Sequence, residues 1–174
     1  MMQIRKAGIQ DIDAIEGIYD RILSAEEAGE VTIGWVRGVY PVRETAEAAL
    51  RRGDLFVGEE DGAIVGTAIF NHHQEACYAG ADWQYDAPDE QVMVMHTLVI
   101  DPLRKRSGYG SQFVEFYEKY ARECGCPYLR IDTQAKNQNA RCFYQRYGYR
   151  EAGIVLCEFN GIHGVRLLCL EKKI

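Results

Sequence analysis

One continuous stretch of the sequence restricts the fold more than any other: the segment Val92–Ile100 and the basic, glycine-bearing loop after it. The segment is apolar except at His96 and Thr97, which is typical of a central strand buried on both faces. It continues into Asp101-Pro102-Leu103-Arg104-Lys105-Arg106-Ser107-Gly108-Tyr109-Gly110. Beyond this loop, apolar residues recur at helical spacing: Phe113, Phe116, Tyr117, Tyr120 and Cys124. The stretch therefore predicts a buried strand, a loop and an amphipathic helix, in that order.

This strand–loop–helix arrangement suits the binding of a pyrophosphate. The free N–H groups of the first helical turn can bind an anion, and the helix dipole adds positive potential. Gly108 and Gly110 allow the backbone to approach the phosphates, and the basic side chains before them supply charge. The loop lacks the three-glycine spacing of dinucleotide-binding folds and the Gly-Lys pair of nucleotide hydrolases. By itself it is equally compatible with a solvated basic turn before a helix.

A second motif lies further along the chain, Asn137-x-x-Ala140-x-x-Phe143-Tyr144-x-x-x-Gly148-Tyr149. Glycine is favoured just after the end of a helix, so we expect a helix over Asn139–Tyr147 that Gly148 closes. Asn137 and Tyr144 would then lie on about the same side of this helix, two turns apart. On spacing alone, Tyr144 is more simply a core aromatic residue.

Turn signals and periodicity predict the remaining elements. We expect a strand near Ile4–Lys6, a helix that begins after Asp11, and a second helix over Arg43–Arg52 that ends at Gly53. Asp61-Gly62 and Asn160-Gly161 predict hairpin turns between strands. Residues 24–40 are mixed in character and indicate a loop or a broken helix, and residues 71–91 indicate a long loop. The order β-α-α-β-β-β-α-β-α-β-β describes a mixed sheet with helices on both faces.

Taken together, the two motifs resemble motifs A and B of the GNAT superfamily of acyl-CoA N-acyltransferases, and the order of elements is similar over nearly all 174 residues. The resemblance implies an α/β (α+β) fold: a central mixed, mostly antiparallel sheet of about seven strands, splayed at the central strand, with helices on both faces. The loop departs from the family pattern at Lys105, Arg106 and Ser107, because Arg106 replaces a glycine. An arginine would be strained there if the position needs positive φ.

The resemblance also implies a reaction. The chain would transfer an acetyl group from acetyl-CoA to a primary amine of a small molecule or peptide, by direct attack in a ternary complex. Tyr144 would protonate the leaving thiolate, and a main-chain N–H of the central strand could stabilise the oxyanion. The residues that would bind coenzyme A come from the strand, the loop and the second motif: Leu98, Val99, Ile100, Arg104, Lys105, Arg106, Ser107, Gly108, Tyr109, Gly110, Ser111, Asn137, Ala140, Phe143 and Tyr144.

The general base and the acceptor pocket rest on weaker signals. His96 is the most attractive base, because it lies just before the cofactor stretch and the ordinary pKa of histidine suits the task. The alternative for His96 is a hydrogen-bonded core residue. We assign the acceptor pocket to Trp35, Tyr40, Trp83 and Glu90. The alternative for the aromatic residues is the core, and for the acid it is a solvated loop. His72-His73 does not predict a metal site, because adjacent strand residues face opposite ways.

Composition limits the class of partner. The net charge is −6 and no run of Lys and Arg exceeds three residues, which disfavours nucleic acid. The six cysteines lack the spacing of a zinc site or a redox pair, so we expect reduced thiols and no metal. The first residues reach charge and glycine before any apolar run, and no segment is apolar enough over its length to span a bilayer. We therefore expect a cytoplasmic protein with no membrane partner.

The chain has the length of one domain and lacks a linker or repeat, so residues 1–174 are expected to form a single acyltransferase domain. One alternative is a catalytically silent acyl-CoA-binding regulatory domain, against which Tyr144 argues. Another is a nucleotide-binding module, against which the missing glycine and lysine patterns argue. No motif identifies the amine or excludes longer acyl donors. Exposed end strands often support dimers in such folds, so a homodimer is a further expectation.

Overall fold

Seven strands form one mixed sheet in the computed structural model, which describes residues 1–104 and 108–174. The sheet has the order β1-β2-β3-β4-β5-β7-β6. Within the described residues, β4 and β5 are parallel and all other neighbours are antiparallel. The strands are β1 Gln3–Lys6, β2 Leu55–Glu60, β3 Ala63–Asn71, β4 Val92–Ile100, β5 Tyr128–Gln134, β6 Arg150–Phe159 and β7 Ile162–Lys173.

The helices are α1 Ile12–Glu27, α2 Arg43–Arg52, α3 Tyr109–Glu123 and α4 Gln138–Arg146. Short 3-10 turns lie at Ile9–Asp11, Ala76–Gly80, Asp89–Gln91 and Pro102–Arg104. The predicted fold class, a mostly antiparallel mixed sheet with helices on both faces, is confirmed. None of the described helices is both long and apolar enough to cross a membrane.

Local signals predicted several element ends correctly. Gly53 ends α2 in the left-handed conformation (φ 77°), and Asn137 is the N-cap of α4. Both hairpin turns have two consecutive residues with positive φ, Asp61-Gly62 and Asn160-Gly161, as a two-residue turn between twisted strands requires.

Helix α1 begins after Asp11, as predicted, but the contacts of the Asp11 side chain and the end of the helix differ from the prediction. Asp11 precedes α1, but its side chain makes no cap hydrogen bond to that helix. Its carboxylate instead accepts hydrogen bonds from the Gly8 N–H (2.8 Å) and from the Arg5 guanidinium (2.7 Å). The helix also continues past Ser24 to Glu27, because Ala25 still packs into the core.

Three apolar clusters stabilise the sheet. The first lies under α3 and α4 and includes Phe113 and Tyr117, and the second lies under α1 and α2 on the other face. The third covers the β5-β7-β6 half of the sheet and includes Tyr78 and Trp83, from the loop of residues 72–91. This loop is therefore part of the core. Arg130 of β5 donates a hydrogen bond to the Tyr85 carbonyl (2.9 Å) and so holds the loop against the sheet.

A β-bulge interrupts β4 at Thr97. On β3 the chain advances from Thr67 to Ile69 while β4 advances from His96 to Val99, so β4 contains one extra residue. Thr97 has φ of 51°, which is a strained conformation for a β-branched residue. Because the bulge changes the alternation of side chains, Leu98 packs on the same face as Met93 and Met95.

The bulge coincides with a gap in the sheet. Pairing between β4 and β5 ends at Met95 and Ile131, and the rest of β5, from Asp132 to Gln134, pairs with β7 alone. The predicted splay of the central strand is thus present.

Candidate active site

A cleft of about 940 Å³ opens on the α3/α4 face, where β4 and β5 separate. Leu98 and Ile100 of β4 form one side of it, and the start of α3 contributes Gly110. The cleft brings together seven residues that were predicted to bind a cofactor: Leu98, Ile100, Gly110, Asn137, Ala140, Phe143 and Tyr144. We call it the cofactor cleft.

The other predicted cofactor residues lie elsewhere or outside the described chain. Val99 is buried in the cluster under α1 and α2, so its side chain does not reach the cleft. The ring of Tyr109 is buried in the core under α3, and its hydroxyl donates a hydrogen bond to Glu60. Arg104 is exposed in the turn before the loop, and Ser111 lies in the first turn of α3. Lys105, Arg106 and Ser107 lie outside the residues that the structure describes.

The two glycines at the start of α3 have different roles. Gly108 precedes the helix with φ of 71°, a conformation that glycine adopts without a steric penalty. Gly110 has helical geometry, and a Cβ atom added to it would lie 3.5 Å from Cζ of Phe143, at the wall of the cleft. The second glycine therefore widens the cleft, whereas the first shapes the chain that enters the helix.

Tyr144 lies deep in the molecule, where the cofactor cleft meets a smaller cavity. The N-cap bond from the Ala140 N–H to the Asn137 side chain (3.1 Å) orients the start of α4. The rings of Phe143 and Tyr149 contact Tyr144 edge-on. Its hydroxyl has no hydrogen-bond partner among the described residues, and burial raises the pKa of this phenol, so it keeps its proton at neutral pH.

The smaller cavity, of about 110 Å³, lies in the gap between β4 and β5, and we call it the inner cavity. It shares Leu98, Asn137 and Tyr144 with the cofactor cleft. His96 and Thr97 of β4 and Asp132 of β5 also line it. The inner cavity therefore lies next to the cofactor cleft, within the gap between the two strands.

His96 borders the inner cavity but is engaged by neighbouring groups. Its Nε2 atom is 3.0 Å from the Asn71 Oδ1 atom and 3.1 Å from the His73 carbonyl oxygen, so Nε2–H donates to both acceptors. Burial, followed by the nearby His73, lowers the pKa of His96 to about 4. The imidazole is therefore neutral at pH 7 and is a weak proton acceptor.

Asp132 is a site residue that the sequence analysis missed. Its carboxylate lines the inner cavity from β5 and accepts a hydrogen bond from the Tyr78 hydroxyl. Burial raises the pKa of this acid to about 7, the Tyr78 bond opposes the rise, and Glu75 adds to it. One signal could have found the residue, namely a single acid at the carboxyl end of the apolar strand Tyr128–Asp132.

A third space, of about 620 Å³, opens on the α1/α2 face, and we call it the outer pocket. It shares Tyr40 and His96 with the inner cavity. Its titratable lining includes His73, Arg52 and three carboxylates: Glu44, Asp54 and Glu75. Arg52 donates a hydrogen bond to Asp54 (2.9 Å). Cofactor cleft, inner cavity and outer pocket thus adjoin one another through shared lining residues.

Two of the four residues predicted for the acceptor pocket line these spaces. Trp35 and Tyr40 line the inner cavity, with ring centroids 5.8 Å apart. Tyr40 also forms a hydrogen bond with the side chain of the strained Thr97.

The other two residues, Trp83 and Glu90, lie away from the cavity. The Trp83 indole donates to the Tyr78 carbonyl (2.7 Å), and the Arg130 guanidinium lies 4.0 Å from its ring centroid. Glu90 is exposed in the 3-10 turn before β4, at the opposite end of that strand from the gap. The structure therefore does not bring these two residues to the candidate site.

Comparison with known proteins gives a consistent result. The model of the acetyltransferase (GNAT) family matches residues 17–149. A GNAT-family acetyltransferase structure from Streptococcus agalactiae 2603 is similar, with a TM-score of 0.84 at 25% identity over 99% of this chain and 95% of that one. No curated protein sequence matches the chain.

Two further structures show similarity of fold alone. One is yncA of Salmonella typhimurium, described as an acetyltransferase with its cofactor acetyl-CoA (TM-score 0.69, 18% identity, 99% of this chain and 94% of that one). The other is the ribosomal-protein-alanine N-acetyltransferase of Brucella melitensis (TM-score 0.70, 19% identity, 99% of both chains).

Proposed function

Because the chain belongs to the acetyltransferase (GNAT) family, we propose that it transfers an acetyl group from acetyl-CoA to a primary amine by direct attack. The observation that carries this proposal is the position of Tyr144, where the cofactor cleft and the inner cavity meet. An acyl donor in the cleft and an amine in the cavity would meet beside its hydroxyl.

The cofactor cleft suits coenzyme A. Beyond Met95, β4 has no strand partner on the β5 side among the described residues, so main-chain groups of Leu98 to Ile100 are available to the amides of a pantetheine arm. Gly110 leaves the cleft open at the start of α3, where N–H groups of the first helical turn favour phosphates. We propose the loop of residues 104–111 for the pyrophosphate and the exposed edge of β4 for the arm.

Tyr144 is the proposed general acid. When the amine attacks the thioester, the C–N bond forms, the C–S bond breaks and the leaving thiolate needs a proton. A buried phenol that stays neutral can donate it, and the acylated nitrogen can return a proton to the phenolate. Of the six cysteines, all of which the structure describes, Cys142 alone lines the cofactor cleft, and its side chain is exposed. None of these described cysteines lines the inner cavity. A covalent acyl-cysteine intermediate is therefore not part of the proposal.

The acceptor would enter from the outer pocket, past Tyr40, which borders both that pocket and the inner cavity. His96 remains a candidate base by position, although its low pKa and its two hydrogen bonds suit a structural role better. From the sequence we also propose a cytoplasmic location and a homodimer. The exposed Leu156 on the edge strand β6 is compatible with such a dimer.

The first test is calorimetric titration of the purified protein with acetyl-CoA, with ATP and NAD as controls. We expect selective micromolar binding of acetyl-CoA. Thiol release during incubation with a panel of amines then separates an enzyme from a silent acyl-CoA-binding domain. Absence of acetyl-CoA binding would overturn the proposal, and binding without turnover of any amine would favour the regulatory alternative.

A further inference from the structure

The buried acids of this protein follow a pattern that the half-buried Asp132 does not share. The acids in buried positions each contact an arginine: Asp11 with Arg5, Asp54 with Arg52, Asp101 with Arg21, and Glu171 with Arg150. Such pairing offsets the cost of removing a charge from water. Asp132 lines the gap in the sheet, and its hydrogen-bond partner in the described part of the chain is the neutral Tyr78.

The described side chains that line the cavity around Asp132 are otherwise uncharged. Among the described residues, the lining includes no lysine or arginine, and Asp132 is its one carboxylic acid. Its accessible surface faces this cavity, so a positively charged group placed there would meet the carboxylate directly. The cavity thus has the polarity of a binding site for an ammonium group.

Aromatic rings complete this environment. Tyr40 contacts Trp35 and Phe159 edge-on, with ring centroids 5.8 and 6.1 Å apart, and all three line the inner cavity. Aromatic faces attract cations, most strongly where water is excluded. A volume of about 110 Å³ has room for an ammonium group and the first few carbons of an alkyl chain.

We propose that Asp132 binds the ammonium group of the acceptor in the inner cavity and removes its proton, so that the acceptor is a primary amine on an alkyl arm with no carboxylate beside the nitrogen. This inference rests on the proposed function and names its substrate class. An α-amino acid fits poorly, because its carboxylate would enter a cavity that contains an acid and lacks a basic side chain. A second ammonium group at the far end of the arm would lie in the outer pocket, near Glu75 and Glu44.

The proton inventory balances without a further reactant. One proton passes from the ammonium nitrogen to the Asp132 carboxylate, and the neutral amine attacks the thioester carbon. The C–S bond breaks, Tyr144 protonates the thiolate, and the acylated nitrogen returns a proton to Tyr144. Asp132 then releases its proton to solvent, which leaves the amide, the free thiol of coenzyme A and one proton.

The electrostatic surroundings of Asp132 support proton transfer near neutral pH. The titratable groups around it are Tyr78, Glu75 and Cys77 of the loop of residues 72–91, Cys169 of β7, Tyr144 of α4, Tyr40, and His96 of β4. Burial outweighs the Tyr78 bond and brings the pKa of Asp132 to about 7, which suits a base that cycles at physiological pH. In return, the Asp132 charge contributes to the raised pKa of Tyr144.

The test compares the Asp132→Asn variant with the wild type. The asparagine carbonyl can still accept the Tyr78 hydrogen bond, but it carries no charge and accepts no proton. Asp61→Asn is the matched control, because Asp61 is exposed in the β2–β3 turn and asparagine tolerates positive φ. Acetyl-CoA titration of each variant shows whether the fold and the cofactor cleft are intact.

With 1,5-diaminopentane and pentylamine as probes at pH 7.5, we expect Asp132→Asn to lower kcat/KM by about 100-fold or more, with unchanged acetyl-CoA affinity. The wild-type kcat/KM should level off above pH 7, whereas that of the variant should keep rising toward the pKa of the amine, about 10. Alanine should be a poor acceptor for the wild type.

Two results would overturn the inference while leaving the proposed function in place. One is a wild type that acetylates alanine better than pentylamine, and the other is an Asp132→Asn variant with less than a threefold loss. A loss confined to KM, with an unchanged pH profile, would overturn the proton-transfer step. Failure of the proposed function would look different, because the wild type itself would then turn over none of the amines.

Discussion

At the scale of single residues, position within the three connected spaces decides which side chains matter. Tyr144 and Phe143 are adjacent aromatic residues of α4, and both line the cofactor cleft. Only Tyr144 of the two also reaches the inner cavity. That difference makes its hydroxyl, which is free of hydrogen bonds within the described residues, the group that a reacting sulfur would meet.

Replacing this hydroxyl tests its role. We expect Tyr144→Phe to lower kcat by ten- to a thousand-fold with little change in acetyl-CoA affinity, because the change removes a proton donor and keeps the ring. Thiol release under saturating acetyl-CoA measures the first quantity, and calorimetry measures the second. Tyr147→Phe removes a hydroxyl from the same helix outside the cleft and should be neutral. Full activity in Tyr144→Phe would exclude the residue as the acid.

At the scale of elements, the start of α3 and the bulge in β4 together shape the cofactor cleft. The bulge turns Leu98 toward the α3/α4 face. Because Gly110 has no side chain, the start of α3 leaves open the space next to the Phe143 ring. Neither feature contributes a reactive group. Both provide the space in which an acyl donor would lie.

Narrowing this space should weaken binding. In Gly110→Val the new Cβ would lie about 3.5 Å from Phe143, and the methyl groups beyond it would enter the cleft. We expect acetyl-CoA affinity to fall at least tenfold in calorimetry, while the thermal unfolding midpoint stays within a few degrees. Gln112→Val introduces the same side chain in the same helix away from the cleft and should bind normally. Equal affinity in both variants would remove the start of α3 from the cofactor site.

The loop of residues 72–91 acts at the same scale. Trp83 packs between Tyr78 and Arg130, and Tyr78 holds the Asp132 side chain. The aromatic residue that was predicted to line the acceptor pocket thus stabilises the loop that positions a cavity residue.

Truncating this ring should therefore cost stability first. We expect Trp83→Ala to lower the free energy of unfolding by about 2 to 3 kcal/mol, which is below the usual cost for a fully buried aromatic side chain because Trp83 is half-buried. Urea unfolding measures the change, and Trp83→Phe should recover part of it. A stable Trp83→Ala variant with an altered preference among amines would instead return Trp83 to the acceptor pocket.

At the scale of the whole molecule, the candidate site occupies a gap in the sheet, and the acid that lines this gap has a cost in stability. A buried carboxylate without a cation favours its protonated form, so folding raises the pKa of Asp132 from 3.8 to about 7. Between these values the folded state binds a proton that the unfolded state has lost. Stability from this group is therefore present at low pH and is lost as pH rises toward 7.

This linkage gives a prediction for Asp132→Asn. Relative to the wild type, the variant should gain about 3 kcal/mol in free energy of unfolding between pH 5 and pH 8, because it has no carboxyl group to ionise. Urea unfolding at both pH values measures the difference. His96, with its pKa lowered to about 4, opposes the wild-type trend below pH 6.5, but it is present in both proteins and largely cancels. A difference that does not depend on pH would contradict the raised pKa.

The sequence by itself determined whatever depends on neighbours along the chain. Helix ends such as Gly53, the turn at Asn160-Gly161, the central strand and the order of elements all follow from local backbone preferences and from periodicity. The two motifs that predicted a cofactor site are also local, since each lies at the start of one helix. Tyr144 and Asn137 belong to one of these motifs, which is why their common side could be predicted.

Only the tertiary structure decided which residues meet across the sheet. Asp132 has no unusual neighbour in sequence, and its importance comes from a gap between β4 and β5 that leaves it facing a cavity in which no described arginine or lysine takes part. Trp83 and Trp35 look alike in the sequence. In the structure, however, Trp83 packs against the sheet as part of the loop of residues 72–91, whereas Trp35 lines the inner cavity. Burial, pairing of charges and the path of a cavity depend on contacts between residues far apart in the chain, and local pattern carries no information about those contacts.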